Sequence, residues 1–169
     1  TARSRGLGDV YKRQKYVFMR AIVQRVSHAS VKVENEFVGK IKQGLLVLLG
    51  FELSDNTADV QWVINKIVNM RLFDDQNQKM NLSLKDVDGE LLLVSQFTLH
   101  ASTKKGNRPS FVKSAPADYA VNLYNECIDY AKTMMHENKI KTGIFGAMMD
   151  VDLCNKGPVT ITIDSKNKE

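Results

Sequence analysis

The segment Ser95-Gln96-Phe97-Thr98-Leu99-His100-Ala101 ends an apolar run with two hydroxyls, an amide and an imidazole, all groups that handle protons or hydrogen bonds. Thr98 and His100 stand two apart. On a continuing strand they share one face, and a hydroxyl beside an imidazole can act as nucleophile and base. That arrangement needs an acidic group to orient the imidazole, and no such partner is identifiable from spacing. Spacing alone favours the plainer reading, in which a buried strand leaves the core and turns polar.

Two further stretches carry candidate chemistry. Lys104, Lys105 and Arg108 surround Gly106 in a polar connection, and Phe111 follows. Clustered cations on a glycine-containing loop suit a phosphate backbone, and an aromatic ring suits a base, although most such loops are simply solvated. Gly157-Pro158 stands at the entrance of the apolar-alternating run "VTITID". An ordinary trans turn is the default for such a pair, since cis forms occupy only about 5–6% of X-Pro bonds in folded proteins.

The elements that must position these residues are legible in outline. "MRAIVQRV" (19–26), "ASVKVEN" (29–35) and "EFVGKI" (36–41) alternate apolar with polar residues and predict a meander of antiparallel strands with one wet face. "GLLVLLGF" (44–51) and the start of "ELLLVSQFTL" (90–99) are apolar throughout, as expected of strands buried on both faces. Asp88-Gly89 predicts a turn between the polar stretch 74–90 and the second of these runs. Val60, Val63, Ile64, Ile67 and Val68 form a helical stripe, with Ser54, Asp55, Asn56 and Thr57 as N-cap candidates. A second helix is predicted from Pro116, with Ala120, Leu123, Tyr124, Cys127, Ile128, Ala131 and Met135 on its apolar face. Residues 145–155 and 158–164 predict a final pair of strands. Strands before, between and after two helices define an α+β fold with a mainly antiparallel, barrel-like sheet.

Composition narrows the function. The formal net charge of +5 is concentrated in residues 1–18, where Arg3, Arg5, Lys12, Arg13 and Lys15 face Asp9 alone. A polyanion partner must therefore be argued from local clusters and not from overall basicity. Residues 1–18 read as vector- or adaptor-like sequence outside the fold, with an Arg-rich transit peptide as the competing reading. Residues 19–164 read as one domain and 165–169 as a polar tail. Cys127 and Cys154 are too few for a disulfide framework or a four-ligand zinc site and fit a reducing, cytoplasmic setting. His28, His100 and His136 show no metal-ligand spacing, so neither a metal nor another cofactor is expected. No apolar run approaches the roughly 20 residues of a membrane helix.

Taken together, "MRAIVQRVSHASVKV", "GLLVLLGF", "KMNLSL", "GELLLVSQFTL", "KKGNRPSF" and "NKGPVTI" resemble the D-aminoacyl-tRNA deacylase family, called D-tyrosyl-tRNA deacylase in older usage. The resemblance runs from Met19 to about Asp164. It implies a homodimeric, metal-free hydrolase that cleaves the ester between a D-amino acid and the terminal ribose of tRNA, with the achiral glycyl ester as a second substrate. It implies that Ser95, Gln96, Phe97, Thr98 and Leu99 form the pocket floor. Gly157-Pro158 becomes a cis gate that enters the partner subunit's pocket and excludes L-amino acids. Thr98 has two readings, a covalent nucleophile or a residue that shapes the site while the ribose 2′-hydroxyl helps to activate water. The second is favoured, because His100 stands where relatives carry Tyr or Phe and is not a family base. Phe145, Gly146 and Met149 are expected to line the same pocket, and Lys104, Lys105 and Arg108 to meet the tRNA. Lys156 replaces the acid that relatives carry before Gly-Pro. A nucleic-acid-binding module without turnover and a general esterase remain as competing functions.

Overall fold

The computed structural model describes residues 19–169; the expectation for residues 1–18 lies outside them. The chain runs through β1 (Arg20–Val33), β2 (Glu36–Ile41), β3 (Gly44–Gly50), α1 (Thr57–Asn69), β4 (Phe73–Asp74), β5 (Met80–Leu82), β6 (Glu90–Ser95), α2 (Ala117–Met134), β7 (Ile140–Thr142) and β8 (Asp150–Asp164). The main sheet has the order β2-β1-β3-β6-β7, with β8 on β1, and β4 pairs with β5 separately.

The predicted meander is instead a single long hairpin. β1 runs unbroken through Ser27 and His28, and its residues pair first with β3 and then with β2 on the same edge. Glu34 and Asn35 both take positive φ, 50° and 64°, the two-residue turn whose twist matches that of antiparallel strands. The polar joint at Ser27-His28 misled the strand count because it marks a register shift against β8 and not a chain reversal. β3, β6 and β7 are mutually parallel, which explains why β3 and β6 are buried on both faces.

One face of the sheet packs on the helices. Leu45, Val47, Leu49, Leu91 and Leu93 meet the α1 stripe of Val60, Val63, Ile64, Ile67 and Val68, together with Ala120, Leu123, Tyr124, Cys127 and Ala131 of α2. The other face curls on itself around Val26, Val31, Ile41, Leu46, Leu92 and Val94. The result is a nearly closed barrel-like sheet with two helices on its outside. Of the four N-cap candidates it is Asn56 that caps α1, accepting from the N–H groups of Ala58 and Asp59 while the Asp59 carboxylate accepts from Asn56 N–H at 3.0 Å. Tyr124 is buried and donates its hydroxyl to the Leu93 carbonyl at 2.8 Å, and burial pushes its pKa up to about 12. Cys127 is core, and burial pushes its thiol well up. The polar tail is tied down at its start, where Ser165 N–H donates to the Met19 carbonyl at 3.0 Å.

The final strand pair is also corrected. Residues 145–149 form a turn-containing loop, and β8 is one strand from Asp150 to Asp164 because both of its halves lie antiparallel on the same neighbour, β1. Among the described residues no helix is long and apolar enough to cross a membrane.

Candidate active site

The parallel ladder of β3 and β6 ends at Leu49 and Ser95, and the chain cannot continue as a strand there. Gln96 N–H makes the last contact, donating to the Leu49 carbonyl at 2.7 Å, and Phe97–His100 then coil into a single 3-10 turn. The expected continuing strand is thus overturned, and with it the shared face of Thr98 and His100. The Thr98 hydroxyl is half-buried and bonded to the Gln96 amide, whereas His100 is buried. The acid that spacing could not find is Glu52, whose Oε1 lies 2.8 Å from His100 Nδ1.

Gly50 lets this turn lie directly against β3. A Cβ there would stand 2.9 Å from Leu99 Cβ and 3.0 Å from both the Gln96 carbonyl oxygen and His100 Cδ2, closer than packed carbons approach. Arg20 donates to the Leu99 carbonyl at 2.9 Å and Ser114 Oγ to the Phe97 carbonyl at 2.9 Å, so the turn is clamped from several sides. The first two N–H groups of the turn, on Phe97 and Thr98, donate to no acceptor among the described residues, as the start of an i→i+3 pattern requires.

A cavity of about 630 Å³ opens over the end of the parallel ladder. Its lining brings together Ser95, Gln96 and Phe97 with Phe145, Gly146 and Met149, all expected from the sequence, and adds Ser114 and Ala147. The volume and the largely apolar wall with a few polar groups are those of a small-molecule site. Thr98 is absent from that lining. The phenyl edge of Phe111 meets the half-exposed Phe97 ring at 5.1 Å and 74°, placing the base of the 102–110 loop beside the cavity mouth. Reciprocal Ser102 and Ser110 backbone bonds of 2.7 and 2.9 Å close that loop. Lys104, Lys105 and Arg108 lie on it, exposed.

Gly157 and Pro158 do not line this cavity. They form a bulge of β8, where residues 156–159 have only Arg25 of β1 opposite them, between the pairs Gln24↔Thr160 and Val26↔Asn155. The Gly157-Pro158 peptide is cis, and Gly157 takes φ 139°, a backbone conformation that L side chains rarely adopt. Asn155 staples the neck of the bulge, accepting from Val159 N–H at 2.8 Å and donating to Thr160 Oγ1 at 2.9 Å. Arg25 fills its underside, with Nε donating to the Lys156 carbonyl at 2.9 Å and Nη1 to the Leu72 carbonyl at 2.7 Å. The backbone of Lys156 is therefore anchored through its carbonyl, whatever its side chain, and that side chain is exposed. Arg25 and Asn155 were missed by sequence reasoning. The one available signal for Arg25 was a charge within the alternating run of β1.

The fold and the cleft define an α+β, barrel-like protein with a substrate-sized cavity at the end of its parallel strands. A family model described as D-Tyr-tRNA(Tyr) deacylase matches residues 22–164, and the chain belongs to this family. It is 53% identical over 151 residues to a D-aminoacyl-tRNA deacylase of Flavobacterium psychrophilum, covering 89% of this chain and 100% of that one. It is 54% identical over 148 residues to the D-aminoacyl-tRNA deacylase of Thermosipho africanus, covering 88% and 98%. Among solved structures, a c-Myc DNA Unwinding Element Binding Protein superposes with a TM-score of 0.81 at 40% identity, over 85% of this chain and 97% of its own. A probable eukaryotic D-amino acid tRNA deacylase superposes with a TM-score of 0.75 at 16% identity, a likeness of fold alone.

Proposed function

We propose that this protein hydrolyses the ester joining a D-amino acid to the 3′-terminal ribose of tRNA, releasing the free amino acid and tRNA, and that it spares L-aminoacyl esters. The observation that carries this reading is the clamped 97–100 turn at the floor of the cavity, in a chain of this family. An aminoacyl ester is already activated, so orientation and stabilisation of the developing oxyanion supply most of what catalysis needs. The open N–H groups of Phe97 and Thr98 are the oxyanion donors in this reading. Ser95 and Gln96 orient the ester and its ribose, and Phe145, Gly146 and Met149 wall the amino-acid end. Thr98, tied to Gln96 and absent from the cavity lining, shapes the turn while the ribose 2′-hydroxyl helps to activate water.

Chiral selection requires a rigid object that blocks one of two mirror-related directions. Gly157-Pro158 is that object in this reading and acts, as the family resemblance implies, in the cavity of a second copy; its place off its own cavity supports this. A two-fold dimer exchanges the bulge in both directions and completes two sites at once. A glycyl ester has no side chain to reject and is a second substrate. Lys104, Lys105 and Arg108 meet the phosphates of the tRNA acceptor end, and the setting is the cytoplasm, where aminoacyl-tRNA is made and used.

Incubation with D-tyrosyl-, L-tyrosyl- and glycyl-tRNA tests the reading. Rapid release of D-Tyr and Gly with L-Tyr retained is expected. Retained tRNA binding without release from any ester would point to a binding module, and equal cleavage of D- and L-esters to a general esterase.

A further inference from the structure

The two open N–H groups of the 97–100 turn belong to peptide units whose carbonyl ends are held differently. The N–H of Phe97 shares its peptide with the Gln96 carbonyl, which accepts from Leu99 N–H at 3.3 Å. The N–H of Thr98 shares its peptide with the Phe97 carbonyl. That carbonyl is paired with His100 N–H by the i→i+3 pattern and takes a second donor from outside the turn, Ser114 Oγ at 2.9 Å. A trans peptide is a rigid plane in which C=O and N–H point oppositely, so a bond that fixes the oxygen also fixes the direction of the N–H. Donation to the carbonyl further polarises the unit and makes its N–H a stronger donor.

Ser114 comes from a tight turn that meets Phe97 twice. Its own N–H donates to the Phe111 carbonyl at 3.0 Å, closing residues 111–114, and the Phe111 ring meets the Phe97 ring edge-on at 5.1 Å and 74°. The turn is grounded at both ends. It follows directly on the paired Ser102 and Ser110 that close the basic loop, and Ala115 N–H beyond it donates to the Phe51 carbonyl at 2.9 Å. Ser114 lines the cavity and Phe111 does not. A tilt of the Phe97–Thr98 plane would move the Thr98 N–H relative to the ester, and misplacements near 1 Å cost about 100-fold in rate.

We propose that Ser114 and Phe111 are positioning residues for ester hydrolysis, bracing the Phe97–Thr98 peptide so that the Thr98 N–H is aimed at the developing oxyanion. This rests on the reading of the 97–100 turn as the catalytic floor.

Threonine and valine at position 114 have nearly the same volume and differ in the hydroxyl, so comparing them isolates the hydrogen bond. On D-tyrosyl-tRNA, Ser114→Val is expected to have a kcat about five- to tenfold below that of Ser114→Thr, with KM within about twofold. Ser114→Ala, which adds no bulk, should be as slow as Ser114→Val. Phe111→Leu should lower kcat by about threefold at similar KM, and the Ser114→Val/Phe111→Leu double variant should lose less than the product of the two single losses, because both act on one peptide. In isotopically labelled protein without substrate, the Thr98 amide proton should resonate upfield in Ser114→Val and Ser114→Ala relative to Ser114→Thr, as its peptide loses a donor at the carbonyl. Equal kcat for Ser114→Thr and Ser114→Val would overturn the proposal. So would a raised KM with unchanged kcat in Ser114→Val or Phe111→Leu, which would make these side chains substrate contacts. If branched side chains at position 114 prevent folding, Ser114→Ala against wild type makes the same comparison of kcat and amide shift. A wild-type protein that releases no D-Tyr would overturn the proposed function and this role with it; an active wild type with indifferent variants would overturn the brace alone.

Discussion

The cavity floor and the Gly157-Pro158 bulge are two rigid pieces of backbone made rigid in opposite ways. The floor is held by packing and hydrogen bonds against the segments around it. Its turn is pressed against Gly50, bonded to Leu49, Arg20 and Ser114, and backed by the buried side chain of His100. The bulge is exposed and is held by polar staples from within the same sheet, the Asn155 side chain across its neck and the Arg25 guanidinium beneath it. In the proposed reading the difference suits their tasks: a floor would exclude water around reacting atoms, while a gate meant to enter another molecule's pocket would stand clear of its own core. The two regions should therefore fail differently when cut.

The sharpest break of this contrast is a complementation test. Ala147→Trp fills the cavity and should lower kcat/KM by about 100-fold or more, a loss near 2.7 kcal/mol of transition-state stabilisation. Deleting Gly157 and Pro158 leaves the cavity open and removes the gate. One homodimer is then slow and the other unselective; after subunit exchange at equal mixing half the dimers carry one complete site, so half of the open cavities regain a gate and L-Tyr release should fall to about half that of the same amount of the deletion variant alone, a recovery of selectivity. Absence of any recovery, with exchange verified by mass spectrometry, would place gate and cavity in one subunit.

Arg25→Ala is expected to separate selectivity from rate. It removes two charge-assisted hydrogen bonds, to the Lys156 and Leu72 carbonyls, each worth about 1.5–3 kcal/mol. The D-over-L ratio of kcat/KM should fall by about tenfold or more while D-Tyr kcat changes less, measured on both tyrosyl esters. Replacing Lys156 by Asp, by contrast, should leave the ratio within about twofold, since the anchoring atom is a backbone carbonyl.

At the cavity mouth, the triple change of Lys104, Lys105 and Arg108 to Ala should weaken tRNA binding and reduce the slope of log K against log salt by about 2, for three contacts to single-stranded phosphates. Filter binding across a salt series reads it directly, and an unchanged slope would take the loop off the tRNA.

The last effect concerns stability near the start of β1 and leaves the proposed site untouched. Burial raises the Asp55 pKa from 3.8 to about 6 despite hydrogen bonds from the N–H groups of Glu52 and Met19. A carboxyl raised in the folded state binds protons that the unfolded chain has already released, so stability is highest below about pH 4 for this group and declines as pH rises through about 6. The decline should amount to about 3 kcal/mol at most, and Asp55→Asn should flatten it in urea titrations from pH 4 to 8.

Much of this architecture was legible because periodicity reports burial directly. The α1 and α2 stripes and the two-sided runs of β3 and β6 are local statements about which side chains avoid water, and the core obeys them. What was misread shares a cause. The Ser27-His28 joint, the continuing strand after Ser95 and the split of β8 are all decided by neighbouring strands distant in sequence: β8 across β1, the end of β3 beside β6, and β1 along both halves of β8. The candidate site divides along the same line. Ser95, Gln96 and Phe97 were legible as one motif, and Phe145, Gly146 and Met149 through family resemblance. Glu52 lies 48 positions from His100, and Arg25 lies 131 from Lys156, separations at which no local pattern operates.

By itself, then, the sequence determined the class of fold, the helices and their buried faces, and the family, because these rest on residue type and short-range spacing. The tertiary structure alone decided that the polar end of β6 is a clamped 3-10 turn, that its buried histidine lies 2.8 Å from an acid, and that Gly157-Pro158 stands on a bulge away from its own cavity. Each of these depends on where one strand stops relative to another, a balance of ladder hydrogen bonds and close packing that is settled only when the whole sheet assembles.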